Sequence, residues 1–217
     1  STPIKSSAAS DVYKRQAMGD LPAGMGLTRS GAQPGDDIWV SGTVGDAYAA
    51  LMCRWGRWQV MPDAEPRLFA RMDRPTPRIA LGQALLGAAT ACADISDGLL
   101  ADLDHILTRS CVSAEIEWER IPLSPVLSTL TVARQHEAAL AGGDDYELIF
   151  TAPPAAAERI FEAGLLSNTP VSRIGRILER EETAVVVRTA DGLPVAVPST
   201  GYDPVSYTHL RAHETCA

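Results

Sequence analysis

The sequence predicts an α/β fold of the α+β kind, a mixed β-sheet covered by helices. Helical and strand-like segments alternate through the middle of the chain, the pattern of a sheet with helices laid on it. The last third instead carries a hairpin signal, Val185 to Val187 and Val195 to Val197 flanking Ala190-Asp191-Gly192, so a purely parallel sheet does not fit. The 217 residues are 46% hydrophobic, with no internal repeat and no low-complexity linker, and one domain with a real core is the economical reading.

The elements follow in order. Pro34-Gly35-Asp36-Asp37 is turn chemistry and leads into the β-leaning run Ile38-Trp39-Val40. Gly45 to Trp55 reads as a helix rich in small residues. Arg74-Pro75-Thr76-Pro77-Arg78 breaks the chain, and Pro77 is placed to open the next helix, because the first helical turn tolerates a missing N–H. Ile79, Leu81, Leu85, Leu86 and Ala89 give that helix an apolar face. Ala91 to Ile95 is a short strand. From Gly98 an amphipathic helix runs, with Leu99, Leu103, Ile106 and Leu107 on one stripe. Ala114 to Trp118 alternates as a half-exposed strand does. A helical stretch after Pro125 ends near Ala141, where Gly142-Gly143 is expected to stop it in a left-handed cap. Tyr146 to Thr151 reads as a strand and Ala155 to Leu165 as a helix.

The formal net charge of −8 disfavours nucleic acid and anionic membranes as partners, and no Lys/Arg cluster offsets it locally. A phosphate-bearing ligand would arrive with a divalent cation that screens its charge. The sequence has no apolar run of transmembrane length, no signal-peptide pattern at its start and no C-x-x-C pair, so a cytoplasmic location is expected. Residues 1–18 and 204–217 lack useful periodicity and read as non-native extensions around a domain spanning 19–203. His209 and His213, four apart, lie in the second of these and lack the H-E-x-x-H pattern of a zinc site.

Three segments could carry chemistry. In Asp94-Ile95-Ser96-Asp97-Gly98-Leu99, at a strand-to-helix junction, two carboxylates and a hydroxyl fall within four residues, a donor set suited to a hard cation such as Mg²⁺. A helix start there would also offer N–H groups to phosphate. The plainer reading makes Ser96 an N-cap and Asp97 a first-turn acid. In Gly142-Gly143-Asp144-Asp145-Tyr146-Glu147-Leu148, paired glycines allow close backbone approach, and the two aspartates can accept hydrogen bonds from an amino-bearing ligand. The plainer reading is a helix cap with solvated acids. In Leu27-Thr28-Arg29-Ser30-Gly31-Ala32, Arg29 could fork onto phosphate oxygens or simply be solvated. G-x-x-x-x-G-K-[ST], the protein-kinase motifs and G-x-S-x-G are all absent, and His105 and His136 read as ordinary histidines.

Taken together and in order, these segments resemble the thiamine-monophosphate kinases. Leu27 to Ala32, Pro34-Gly35-Asp36 and Val40-Ser41-Gly42-Thr43 look like that family's domain junction and first strand. Arg74 to Arg78 resembles its R-P-x-P-R motif, Asp94 to Leu99 its D-x-S-D-G-L motif, Gly142 to Leu148 its G-G-E-D-Y-E-L motif, and Gly201-Tyr202-Asp203 its closing motif. The resemblance implies the C-terminal α/β domain shared with aminoimidazole ribonucleotide synthase. It implies phosphorylation of thiamine monophosphate to thiamine diphosphate by ATP with Mg²⁺. Asp94 and Asp97 would bind the metal, Ser96 and Arg29 would contact ATP, and Asp144 and Tyr202 would contact thiamine monophosphate. Asp144 stands where the family more often has Glu. The family's N-terminal domain, with further metal ligands and most of a homodimer interface, has no counterpart before Gly19, so the chain is expected to be a fragment with little turnover of its own. The alternatives are a purine-pathway synthase of the same superfamily and a non-catalytic nucleotide-binding or oligomerisation module.

Overall fold

The computed structural model describes Gly24 and residues 26–196. The order is β1 (Asp37–Ser41), α1 (Asp46–Arg54), α2 (Glu65–Asp73), α3 (Ile79–Ala84), β2 (Ala91–Asp94), α4 (Leu99–Ser110), β3 (Ser113–Glu117), α5 (Val132–His136), β4 (Leu148–Ala152), α6 (Ala157–Leu166), β5 (Val171–Leu178) and β6 (Val185–Arg188). The strands form one six-stranded sheet in the order β2-β4-β1-β5-β3-β6. Neighbours are antiparallel except β3 and β6, which run parallel. The sheet is therefore mixed, as the sequence predicts.

Both faces of the sheet are covered, which is why all five residues of β1 are buried. Ile38, Val40 and Ile149 face α4, whose stripe of Leu99, Leu103, Ile106 and Leu107 is fully buried as its spacing predicts. Trp39 and Phe150 point the other way and stack with ring centroids 6.4 Å apart, among Leu81, Leu85 and Ile160 from the α3 and α6 side. A third apolar cluster joins α1 to α2 through Ala49, Ala50, Met52, Trp58 and Leu68.

Several elements differ from the sequence reading. α3 begins two residues after Pro77 and is short, and Ile79 is 68% exposed rather than part of the apolar face. The stretch after Pro125 is broken into a 3-10 turn at Leu127–Thr129, α5, and a wide π turn at Glu137–Ala141. In the hairpin, Gly192 N–H donates to Thr189 O at 2.8 Å and Val195 N–H to Val187 O at 2.9 Å, but among the described residues, which exclude Val197, the returning arm makes one bridge, between Arg188 and Pro194. α2 and β5 have no counterpart in the sequence reading. Residues 1–18, residues 204–217 and Tyr202 lie outside the described residues.

The topology sets the site. β1 and β2 both run antiparallel to β4, so both end where β4 begins. The segments after β1, after β2 and before β4 therefore meet at one end of the sheet.

Candidate ligand-binding site

The segment before β4 is laid down on the segment after β2 by main-chain hydrogen bonds. Asp144 N–H donates to Ser96 O at 2.9 Å, Tyr146 N–H to Ile95 O at 2.8 Å, and Ile95 N–H back to Glu147 O at 2.8 Å. Such close approach explains the glycines. A Cβ on Gly143 would lie 2.4 Å from Ser96 O, and one on Gly142 2.4 Å from Ala138 O. Gly142 itself is extended, with φ −72° and ψ 134°, so the pair does not form the expected left-handed cap. The positive φ angles fall instead on Asp144 (67°) and Tyr146 (52°), a conformation uncommon for residues with a Cβ and rarest for bulky ones.

Along this segment burial alternates. Asp144 and Tyr146 are exposed; Asp145 and Glu147 are buried. Asp145 accepts from Gly45 N–H at 2.6 Å and Ala47 N–H at 3.3 Å, which caps the start of α1 from another part of the chain. Burial pushes its carboxyl up to about 7, with Asp46 adding to the rise and the two N–H groups and Arg71 opposing it. Glu147, with no exposed surface, is held by Arg78 through Nε (2.7 Å) and Nη2 (2.6 Å), by Arg71 Nη2 at 2.9 Å and by the Ser41 hydroxyl at 2.5 Å. Ser41 Oγ in turn accepts from Leu148 N–H at 2.9 Å. Arg71 also donates to Thr43 O and lies 4.0 Å from Asp46.

The segment after β2 is organised from within. Asp102, one turn into α4, turns back and accepts from the N–H groups of Ser96 (2.8 Å), Asp97 (2.9 Å) and Gly98 (3.3 Å). These donors, which the sequence offered to phosphate, are therefore already taken. The cap residue is Gly98, at φ 126° and ψ 152°, and not Ser96; a Cβ there would meet Ala141 O at 2.8 Å. Burial raises the Asp102 carboxyl above its usual range, the Asp97 and Ser96 N–H groups oppose that rise, and the charges of Asp97 and Asp94 add to it.

The outward groups form an acidic rim. Asp94 and Asp97 are exposed, Asp144 accepts from the Tyr146 hydroxyl at 3.1 Å, and Arg29 Nη2 stands 4.0 Å from Asp94 Oδ1. The Tyr146 phenol is raised above its ordinary value by burial first, then by Asp144 and by the charges of Asp94 and Asp97. The charges of all three carboxylates thus bear on one side chain. Among the described residues no three Asp, Glu, His or Cys side chains converge as a metal-ligand set. A Mg²⁺ ion held by one or two carboxylates plus phosphate oxygens needs no such set, and the exposed Asp94 and Asp97 fit that role. Beside Asp94 and Tyr146 opens a pocket of about 630 Å³, walled by Leu27, Pro75, Pro77, Ile79, Leu86 and Leu148. Its apolar walls suit a flat ring next to the charged rim.

The structure thus brings Arg29, Asp94, Ser96, Asp97 and Asp144 to one end of the sheet. The sequence reading missed Asp102, Glu147, Arg71, Arg78, Ser41 and Tyr146. Of these, Ser41, Arg78, Tyr146 and Glu147 lie inside segments it had quoted. Asp145, which it offered to an amino-bearing ligand beside Asp144, is instead buried and committed to the start of α1.

Comparison with known proteins places the chain in a family. The family described as AIR synthase related protein, C-terminal domain, matches residues 33–188, and the chain belongs to that family. Among curated proteins it is 42% identical over 190 residues to the thiamine-monophosphate kinase of Haemophilus influenzae, an alignment covering 86% of this chain and 58% of that one. The chain thus spans somewhat more than half the length of the curated relatives it matches. A crystal structure of thiamine-monophosphate kinase from Stenotrophomonas maltophilia superposes with a TM-score of 0.71 at 40% identity, covering 81% of this chain and 56% of the other. A structure described as AaThiL complexed with AMPPCP and TMP gives a TM-score of 0.64 at 36% identity over 81% of this chain and 53% of the other.

Proposed function

We propose that this chain is the C-terminal part of a thiamine-monophosphate kinase and carries one half of its phosphoryl-transfer site. The observation that carries the reading is the acidic rim of Asp94, Asp97 and Asp144, exposed beside the apolar pocket at the end of the sheet where its three loops meet. Identity near 40% to kinases of that name supports it.

Both reactants are anions, so the site must offset charge and align oxygens rather than supply a strong base. A terminal phosphate oxygen is mostly deprotonated near neutral pH, and no histidine is required for its attack. Asp94 and Asp97 would hold Mg²⁺, which supplies charge screening and polarisation of phosphate oxygens when bound. Arg29 extends from an exposed loop beside Asp94 and would fork onto ATP phosphate oxygens. The Ser96 hydroxyl remains the ATP contact at the start of α4, since its backbone N–H is committed to Asp102. Asp144 would accept from the amino-bearing heterocycle of thiamine monophosphate, and Tyr202 would stack on it. A cytoplasmic enzyme, dimeric through the portion of its relatives that this chain does not match, completes the reading. No helix among the described residues is long and apolar enough to cross a membrane.

The test is calorimetric titration of thiamine monophosphate into this chain with MgATP present, repeated with Asp97→Asn. Saturable binding that the substitution weakens at least tenfold supports the proposal. Equal binding by both proteins removes Asp97 from the site, and preference for a purine intermediate over thiamine monophosphate overturns the reading.

A further inference from the structure

We propose that Glu147, clamped by Arg78, Arg71 and Ser41, is a positioning residue that holds Asp144 and Tyr146 outward at the rim. The clamp draws on four separate parts of the chain: Ser41 at the end of β1, Arg71 in α2, Arg78 after the double proline, and Glu147 before β4; all but Arg71 lie within segments that a motif reading treats as independent. Arg78 grips both carboxylate oxygens, a geometry that only a guanidinium supplies. Gly42 is fitted to the same group, since a Cβ there would lie 2.3 Å from Glu147 Oε1.

The geometry links this buried clamp to the exposed groups. Asp144 and Tyr146 both carry positive φ, which residues with side chains keep only where the surroundings impose it. Each is flanked by an anchor: Asp145 is tied to α1 and Glu147 to the arginines, while the N–H groups of Asp144 and Tyr146 are fixed to Ser96 and Ile95. The inward residues thereby set the direction of the outward ones. Releasing Glu147 would let the backbone at 144–146 relax toward ordinary φ and swing both side chains off the rim. Asp94, paired with Leu148 at the end of β2, and Asp97, whose N–H is tied to Asp102, have anchors of their own and would stay in place.

Native-state hydrogen exchange on this chain tests the clamp without a ligand. In Arg78→Lys and, as a milder variant that keeps both ion pairs, Ser41→Ala, the amides of Asp144 and Tyr146 should exchange at least tenfold faster relative to those of β3 and β5. Uniform acceleration across loop and sheet means a merely structural role and overturns the proposal; so does unchanged loop exchange in both variants. A binding arm rests on the kinase reading: thiamine monophosphate binding should weaken about tenfold while MgATP binding holds. If the unaltered chain binds no thiamine monophosphate yet the loop amides respond as expected, the kinase reading fails and the clamp stands.

Discussion

The Gly142–Glu147 segment contains two kinds of acid, one residue apart, with opposite circumstances. Asp144 faces solvent and is accompanied by a phenol and two further carboxylates; Asp145 and Glu147 face inward and are met by N–H groups, a hydroxyl and two guanidinium groups. The contrast separates charge kept available from charge already neutralised. A buried carboxylate costs several kcal/mol of lost hydration unless it is paired, so every inward oxygen here is matched. The outward carboxylates retain their hydration and leave a local excess of negative potential that a cation can answer.

Removing an inward acid should break that distinction with the largest effect. Glu147→Ala leaves Arg71 and Arg78 facing each other in a largely buried space, and the loss should be about 3–5 kcal/mol, the usual result of orphaning a buried ion. Urea unfolding monitored by tryptophan fluorescence checks it, and a loss below about 1 kcal/mol would place Glu147 with the outward acids.

A second, graded effect comes from pH. Asp145 titrates near 7 when folded and near 3.9 when unfolded, so between those values the folded chain binds the extra proton. Its contribution is fully present below about pH 4, falls as pH rises towards 7 and is flat above. Asp102, also raised by burial, acts in the same direction. Unfolding free energies measured at pH 5 and pH 8 should show the folded chain weaker at pH 8. Asp145→Asn should reduce that difference, and an unchanged slope would mean that the carboxyl is ionised throughout.

The smallest effect sharpens the other side of the comparison. Arg29→Ala removes an exposed partner 4.0 Å from Asp94 and should change stability by no more than ~0.5 kcal/mol, while weakening MgATP binding if the kinase reading holds. A larger stability loss would show that the rim is part of the framework.

Much of the fold was legible because apolar spacing reports burial directly. The α4 stripe and the Ile38-Trp39-Val40 run are cases where each position states its face. β5 was not legible, since Val171 to Leu178 carries Arg173, Gly175 and Arg176 inside the sheet. Those arginines sit there because they reach Asp37 and Glu115 on the neighbouring strands, and Gly175 because Glu115 O approaches so closely. α2 hid for the converse reason: Leu68 is its one fully buried side chain, and Phe69 and Met72 beside it are only partly buried, so no clear apolar stripe marks Glu65–Asp73. In the site, clustered carboxylates announced themselves, but which acids would be buried did not. Glu147 looks like a solvated residue until Ser41, far away in sequence, is placed beside it, and no short pattern encodes that meeting. The helix-start donors misled because Asp102 lies outside the segment where they were sought.

The central strand has a consequence for how the protein is made. Among the described elements β1 is made before all the other strands, yet its two neighbours, β4 and β5, follow more than a hundred residues later. The Ser41–Glu147 contact closes a loop of 106 residues and Asp37–Arg173 one of 136. Until those segments have been translated, Ile38, Trp39 and Val40 have no strand to lie against. Loop closures this long are paid in chain entropy before any contact rewards them, so assembly of this sheet should be slow and should wait for the synthesis of β5. The exposed run of apolar residues in the nascent chain is then a natural place for a chaperone to hold until synthesis reaches β5.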